Sequence, residues 1–191
     1  MRKLFGLAFA LLLALSLVGG AARAMPEEKV TEFDVNVGDA FIEGFTGSLP
    51  GDVAQASNGE FIKVIFTGQI DVEGHKAEGK GTFEHFDSSG TLLEFGTFQA
   101  KRLISFTDFG TLPGLPPTFH GGSAPILVRG VAYSAADLTT TKFEATLQVD
   151  CTFGNPPAGL EEGINFVISG GLNFDEKPSN HGFTLFVAAE D

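Results

Sequence analysis

The sequence has one cysteine (Cys151), one tyrosine (Tyr133), no tryptophan, and 12 basic residues against 24 acidic ones. Each shortage excludes something. A single cysteine leaves no internal disulfide, so stability has to come from a packed core. No cysteine follows the apolar run near the N-terminus, which excludes a lipid anchor at that point. Tyr and Trp build the girdles of outer-membrane barrels and many interfaces. Their near absence argues against a carbohydrate-binding face and against a chain embedded in a membrane. No basic cluster exceeds Lys101-Arg102, and a net charge of −12 repels phosphate backbones, so nucleic acid is not an expected partner. No Asn-x-Ser/Thr acceptor occurs.

What is present begins with a leader. Arg2 and Lys3 precede an apolar run from Leu4 to Val18, and Ala22-Arg23-Ala24 supplies a small-x-small cleavage site. These are the three regions of a secretory signal peptide. The run is shorter than the roughly 20 residues a membrane span needs. Residues 1–24 are therefore expected to be removed, leaving residues 25–191 as one domain that is secreted or periplasmic. Losing Arg2, Lys3 and Arg23 leaves nine basic and 24 acidic residues, a net charge of −15.

The remaining chain reads in period two. Phe143, Ala145, Leu147, Val149, Cys151 and Phe153 alternate with Lys142, Glu144, Thr146, Gln148, Asp150 and Thr152. That predicts a long strand with one buried and one wet face, and it puts Cys151 inside as a small apolar group. Phe33-Val35-Val37 shows the same alternation. Phe61 to Phe66 reads as buried on both faces. Further strands are expected at 70–73, 81–86, 92–98, 100–106, 126–133, 164–169 and 183–188. Asp87-Ser88-Ser89-Gly90 forms a hairpin turn between two of them. Gly-Thr-Phe occurs at 81–83 and again at 96–98. No stretch shows a convincing helical period. Segments 47–59 and 107–125, rich in Pro and Gly, read as loops. The fold class is all-β: a single antiparallel barrel of roughly eight to ten strands, with a sandwich as the alternative. Abundant glycine beside the strands favours the barrel. Length, glycine usage and strand count are shared with secreted lipocalin-like carriers and with small cyclase and dirigent-type barrels, but none of their defining motifs occurs.

The 20 phenylalanines imply an apolar interior, either an ordinary core or one with a cavity for an apolar ligand. Phe83 and Phe98 are candidate lining residues. His85 shares the face of Phe83 and reads as a core or rim histidine, or as a group that orients a ligand. Arg102 falls on the face of Phe98, Ala100 and Ile104, where a guanidinium would need a carboxylate partner. Alternatively, a bulge near Gln99-Ala100 turns it outward beside Lys101. His120, beside Gly121-Gly122, reaches a cavity mouth or lies in a solvated loop. The four histidines have no metal-ligand spacing, and no nucleophile elbow, dinucleotide fingerprint or phosphate loop is present, so neither metal nor cofactor is expected. Glu161-Glu162 and the other acidic pairs read as solvated surface. Together these observations predict an exported, non-enzymatic β-barrel that binds a small apolar or amphiphilic molecule. The alternatives are a subunit of an extracellular assembly, with homo-oligomers formed through strand edges, and a barrel-type cyclase or isomerase polarised by His85 or Arg102.

Overall fold

The computed structural model describes residues 30–47, 50–179 and 181–189; residues 1–24, where a leader is expected, lie outside the described residues. The fold is all-β and antiparallel. Eleven strands form one sheet: β1 (Glu32–Val37), β2 (Asp52–Gln55), β3 (Phe61–Asp71), β4 (Lys76–Phe86), β5 (Leu92–Leu103), β6 (Thr107–Thr111), β7 (Phe119–Ser134), β8 (Thr140–Cys151), β9 (Gly163–Ile168), β10 (Asn173–Phe174) and β11 (Thr184–Ala188). No helix among the described residues is long and apolar enough to cross a membrane. The outward residues of β3 and β4 include Thr67, Gln69, Glu78, Lys80 and Glu84, the reverse of a lipid-facing apolar band.

The sheet curls until β5 pairs with β7, which closes a barrel-like ring. Two strand edges are shared, and this splits the wall. β2 pairs with Phe61–Val64 of β3, while β1 takes Phe66–Asp71 on the same edge. Likewise β8 pairs with Gly122–Tyr133 of β7, while β11 reaches it only at Phe119 and His120. At one end the ring closes through β1 and β11. At the other it closes through β8, β9, β10 and the single Gln55–Glu176 bridge to β2.

Alternation places the core. Phe33, Phe66, Phe98, Phe166, Phe174 and Phe186 are fully buried, together with Val35, Val64, Ile126, Leu147 and Val149. Each such phenylalanine contributes about 1.5–3 kcal/mol on burial, so a few of them match the 2–5 kcal/mol that a native disulfide supplies to small secreted domains. Cys151 is buried and free, and burial pushes its thiol up to about 12.

The repeated Gly-Thr-Phe tripeptides pair with each other in opposite directions. Gly81 faces Phe98, Thr82 faces Thr97, and Phe83 faces Gly96. Each ring reaches over the glycine across the strand pair with its outer edge. A Cβ on Gly81 would stand 2.1 Å from the Phe98 ring, and one on Gly96 would stand 2.7 Å from the Phe83 ring. Only hydrogen fits there. The repeat thus sets the register of β4 on β5 and seats two core phenylalanines.

Several expectations need correction. A helix is present, α1 (Ala40–Thr46), held by its ends. Asp39 accepts the Ile42 amide at the N-cap, and Gly47 takes the left-handed conformation at the C-cap. Ile42 is its one buried residue, too little to make a periodic signal. The segments read as loops contain β2, β6 and the start of β7. These strands form because β3 and β7 offer long edges with free hydrogen-bonding groups. Phe61 to Phe66 is buried on one face only, with Phe61, Lys63 and Ile65 partly exposed. Asp150 lies on the predicted wet face of β8 and is buried.

Candidate functional site

Next to the Phe83 end of the β4–β5 pair, the core stops short of filling the ring. A cavity of about 110 Å³ remains between β3, β4 and β5 on one side and β7 to β10 on the other. Phe83, Phe143, Phe166, Phe174, Ile62 and Ile168 line it, and His85, Glu94 and Thr141 stand at its rim. Phe83 meets Phe143 edge-on at 5.4 Å and lies stacked at 6.4 Å from Phe166. Such edge and offset contacts between aromatic rings are the favoured ones. They hold the lining rigid.

The rim is built from local sequence. Asn58-Gly59 makes a tight turn between β2 and β3, with Gly59 at φ 87°. The Asn58 side chain donates to Glu60 Oε1 at 3.0 Å, and its carbonyl oxygen accepts the Glu60 amide. Glu60 is thereby aimed at His85, whose Nε2 lies 2.8 Å from Glu60 Oε2. On the other side of the imidazole, Nδ1 lies 3.5 Å from Glu94 Oε2. His85 also packs edge-on against Phe174 at 5.1 Å, and its side chain is 14% exposed. Both ring nitrogens are directed at carboxylates. Glu60 holds the imidazole at Nε2, and the longer contact to Glu94 leaves that carboxylate the looser of the two.

Of the five residues singled out from the sequence, Phe83 and His85 reach this cavity. Phe98 is buried one layer deeper, stacked on Phe66 at 5.9 Å and edge-on to Phe166 at 5.6 Å, so it supports the floor without lining it. Arg102 is exposed. The pairing of β5 with β7 shifts register between Ala100 and Arg102, and this bulge turns Lys101 and Arg102 outward while Leu103 is fully buried. His120 is a strand residue of β7 at the opposite end of the ring. Its Nδ1 lies 3.0 Å from Asp108 Oδ1, and its ring packs edge-on against Phe33 at 5.3 Å. Three of the five therefore lie apart from the cavity.

A second polar cluster occupies the fork in the wall, where β2, β8, β9 and β11 meet. Asp150 and Lys177 form an ion pair of 2.9 Å with side chains only 5% and 7% exposed. Ser123 and Gln148 both donate to the other Asp150 oxygen at 2.8 Å. Glu162 accepts the amide and hydroxyl of Thr184 through one oxygen and those of Thr152 through the other. It is therefore a tie between strands and not the solvated surface residue expected. Asp52 accepts the amides of Val53 and Gly182 through Oδ1, while its buried Oδ2 has no partner. Burial, against those two hydrogen bonds, pushes the Asp52 carboxyl up to about 6. Among the described residues, no three His, Cys, Asp or Glu side chains are arranged to hold a metal ion. Ser123 and Gln148 reinforce the β7–β8 ladder at Asp150, while Glu162 to Thr184 and Asp52 to Gly182 tie segments that share no ladder.

A shallow groove of about 650 Å³ lies on the outer face of β3, β4, β5 and β7, walled by Ile65, Phe95, Leu92 and Tyr133 with Lys63 and Glu84 at its margin. Phe95 and Tyr133 stack there at 5.6 Å.

The fold and cavity define a class: an antiparallel barrel-like β protein with a small phenylalanine-lined pocket at one end. Comparison with protein-family models, with curated proteins and with solved structures finds no match.

Sequence reasoning passed over Glu60 and Glu94. A signal for Glu94 exists, because the paired Gly-Thr-Phe repeats set a register that puts His85 opposite Glu94. Glu60 carries no such signal. It meets His85 only because the β2–β3 turn folds over the end of β4.

Proposed function

We propose that this protein is an exported, non-enzymatic binding protein for a small apolar or amphiphilic molecule, seated in the phenylalanine-lined cavity. The single observation that supports the reading is that cavity. Rigid rings wall it, and its only ionisable groups stand at the rim, which is the usual plan of a ligand site. Its size restricts the occupant. Drug-sized ligands fill about 300–1,000 Å³, so 110 Å³ admits one ring or a short chain, with the remainder outside. The leader pattern at residues 1–24 supports export.

Native mass spectrometry of protein purified from its own host tests the reading. The expected result is a retained small-molecule mass that disappears in Ala132→Leu, because Ala132 borders the cavity and a longer side chain fills it. An empty monomer overturns the proposal. The outer groove supports a second reading, a subunit of an extracellular assembly, for which the same spectrum would show a ladder of oligomers.

A further inference from the structure

We infer that the cavity selects amines: its ligand joins a small ring or short chain to a protonated nitrogen, which sits at the rim against Glu94, with the Glu60–His85 pair beside it. This rests on the binding reading above and adds the sign of the head group.

The charges at the rim carry the inference. Two carboxylates flank one imidazole, so the rim is net negative whether His85 is neutral or protonated. The neighbouring turns add to this. Asp87 in the β4–β5 turn and Asp137 in the β7–β8 turn accept hydrogen bonds from Ser89, Thr91 and Thr139, which hold both carboxyls below their ordinary value. The nearest lysines on the surrounding strands, Lys63 and Lys142, alternate with inward Ile62 and Phe143 and so face away from the cavity. Arg102, the group best suited to a carboxylate ligand, is turned outward near the far end of β5. Among the described residues, no lysine or arginine is therefore placed to receive an acid.

The lining agrees with the rim. Aromatic faces carry negative quadrupole potential and attract cations, and four phenylalanines converge here. Glu60 keeps capacity for a donor because its Oε2 meets only His85 while Oε1 is held by Asn58. Glu94 is 43% exposed at the side chain and can swing to meet an incoming ammonium. An apolar cavity of about 150 Å³ holds a benzene ring, so a cavity of 110 Å³ open at the rim suits an aromatic methylamine or a short alkylamine, with the charged end in the opening.

Three probes of nearly equal shape separate the terms: benzylamine, benzyl alcohol and benzoate, each titrated into the mature protein and followed by amide chemical shifts. The expected order is benzylamine tighter than benzyl alcohol, with benzoate weakest and about tenfold or more below the amine. That is the size expected of two partly exposed charge pairs. Glu60→Gln with Glu94→Gln should bring the ratio of amine to alcohol affinity down toward one, with the dispersion of the variant's amide spectrum showing that it is folded. Equal binding of amine and alcohol overturns the amine inference and leaves the cavity reading standing. No shift at cavity residues with any of the three overturns both.

Discussion

Replacing Asp52 by asparagine should stabilise this protein at neutral pH and destabilise it in acid. The Asp52 carboxyl is buried with one oxygen unpartnered, and its value in the folded chain is about 6 against 3.8 for the free group. Below about pH 4 both folded and unfolded chains carry the proton, and there is no penalty. As pH rises from 4 to 6 the unfolded chain releases it and the folded chain keeps it, so stability falls across that window. Above about pH 6 the folded carboxyl is ionised as well, and the loss levels off. A difference of about two units corresponds to about 3 kcal/mol. Asparagine keeps an oxygen to accept the Val53 and Gly182 amides at 2.7 and 2.9 Å, and it removes the charge. Its added amide hydrogens need acceptors in the same buried space, which reduces the gain to about 1–2 kcal/mol. Urea unfolding at pH 4 and pH 7.5 measures it. With m of about 1–3 kcal/mol/M, the variant's midpoint should exceed the parent's by about 1 M at pH 7.5 and fall below it by about as much at pH 4, where only the cost of the amide hydrogens remains. Taking the difference between the two proteins cancels every other carboxylate. An offset that is the same at both pH values would refute the reasoning.

Two further perturbations test the packing and the fork. Gly81→Ala puts a methyl group into the Phe98 ring and should cost about 1–3 kcal/mol by overpacking. Pairing it with Phe98→Leu should cost less than the sum of the two single changes, and strict additivity in a urea double-mutant cycle would count against the interlock. Lys177→Met leaves Asp150 buried without its counter-ion and should cost about 3–5 kcal/mol. Lys177→Met combined with Asp150→Leu should recover part of that, as read by thermal unfolding.

Much of the fold was legible because strand periodicity is local. The alternation in β8 and the hairpin at Asp87–Gly90 follow from neighbours within a few residues, whereas the sequence left Arg102 between two faces until the pairing of β5 with β7 turned it outward. The helix α1 was not legible, since seven residues with one buried side chain make no period and its caps act only once the chain leaves β1. β2 and β6 were missed for a different reason. Four or five residues among turn formers become strands only when a long edge stands ready to pair with them.

The candidate site divides the same way. Phe83 and His85 follow from alternation, and Glu94 follows from the register of the paired repeats. Glu60, Asp150 and Lys177 depend on which segments cover which faces. Where apolar and polar residues alternate strictly, as in β1 and β8, the sequence is enough to say which side turns inward, because side-chain direction alternates with the backbone. Only the tertiary structure decided which outward faces stay wet. Asp150 stands on the polar side of β8, yet β9, β11 and the Lys177 segment close over it. Solvent exposure belongs to the assembled wall, and no single strand contains it.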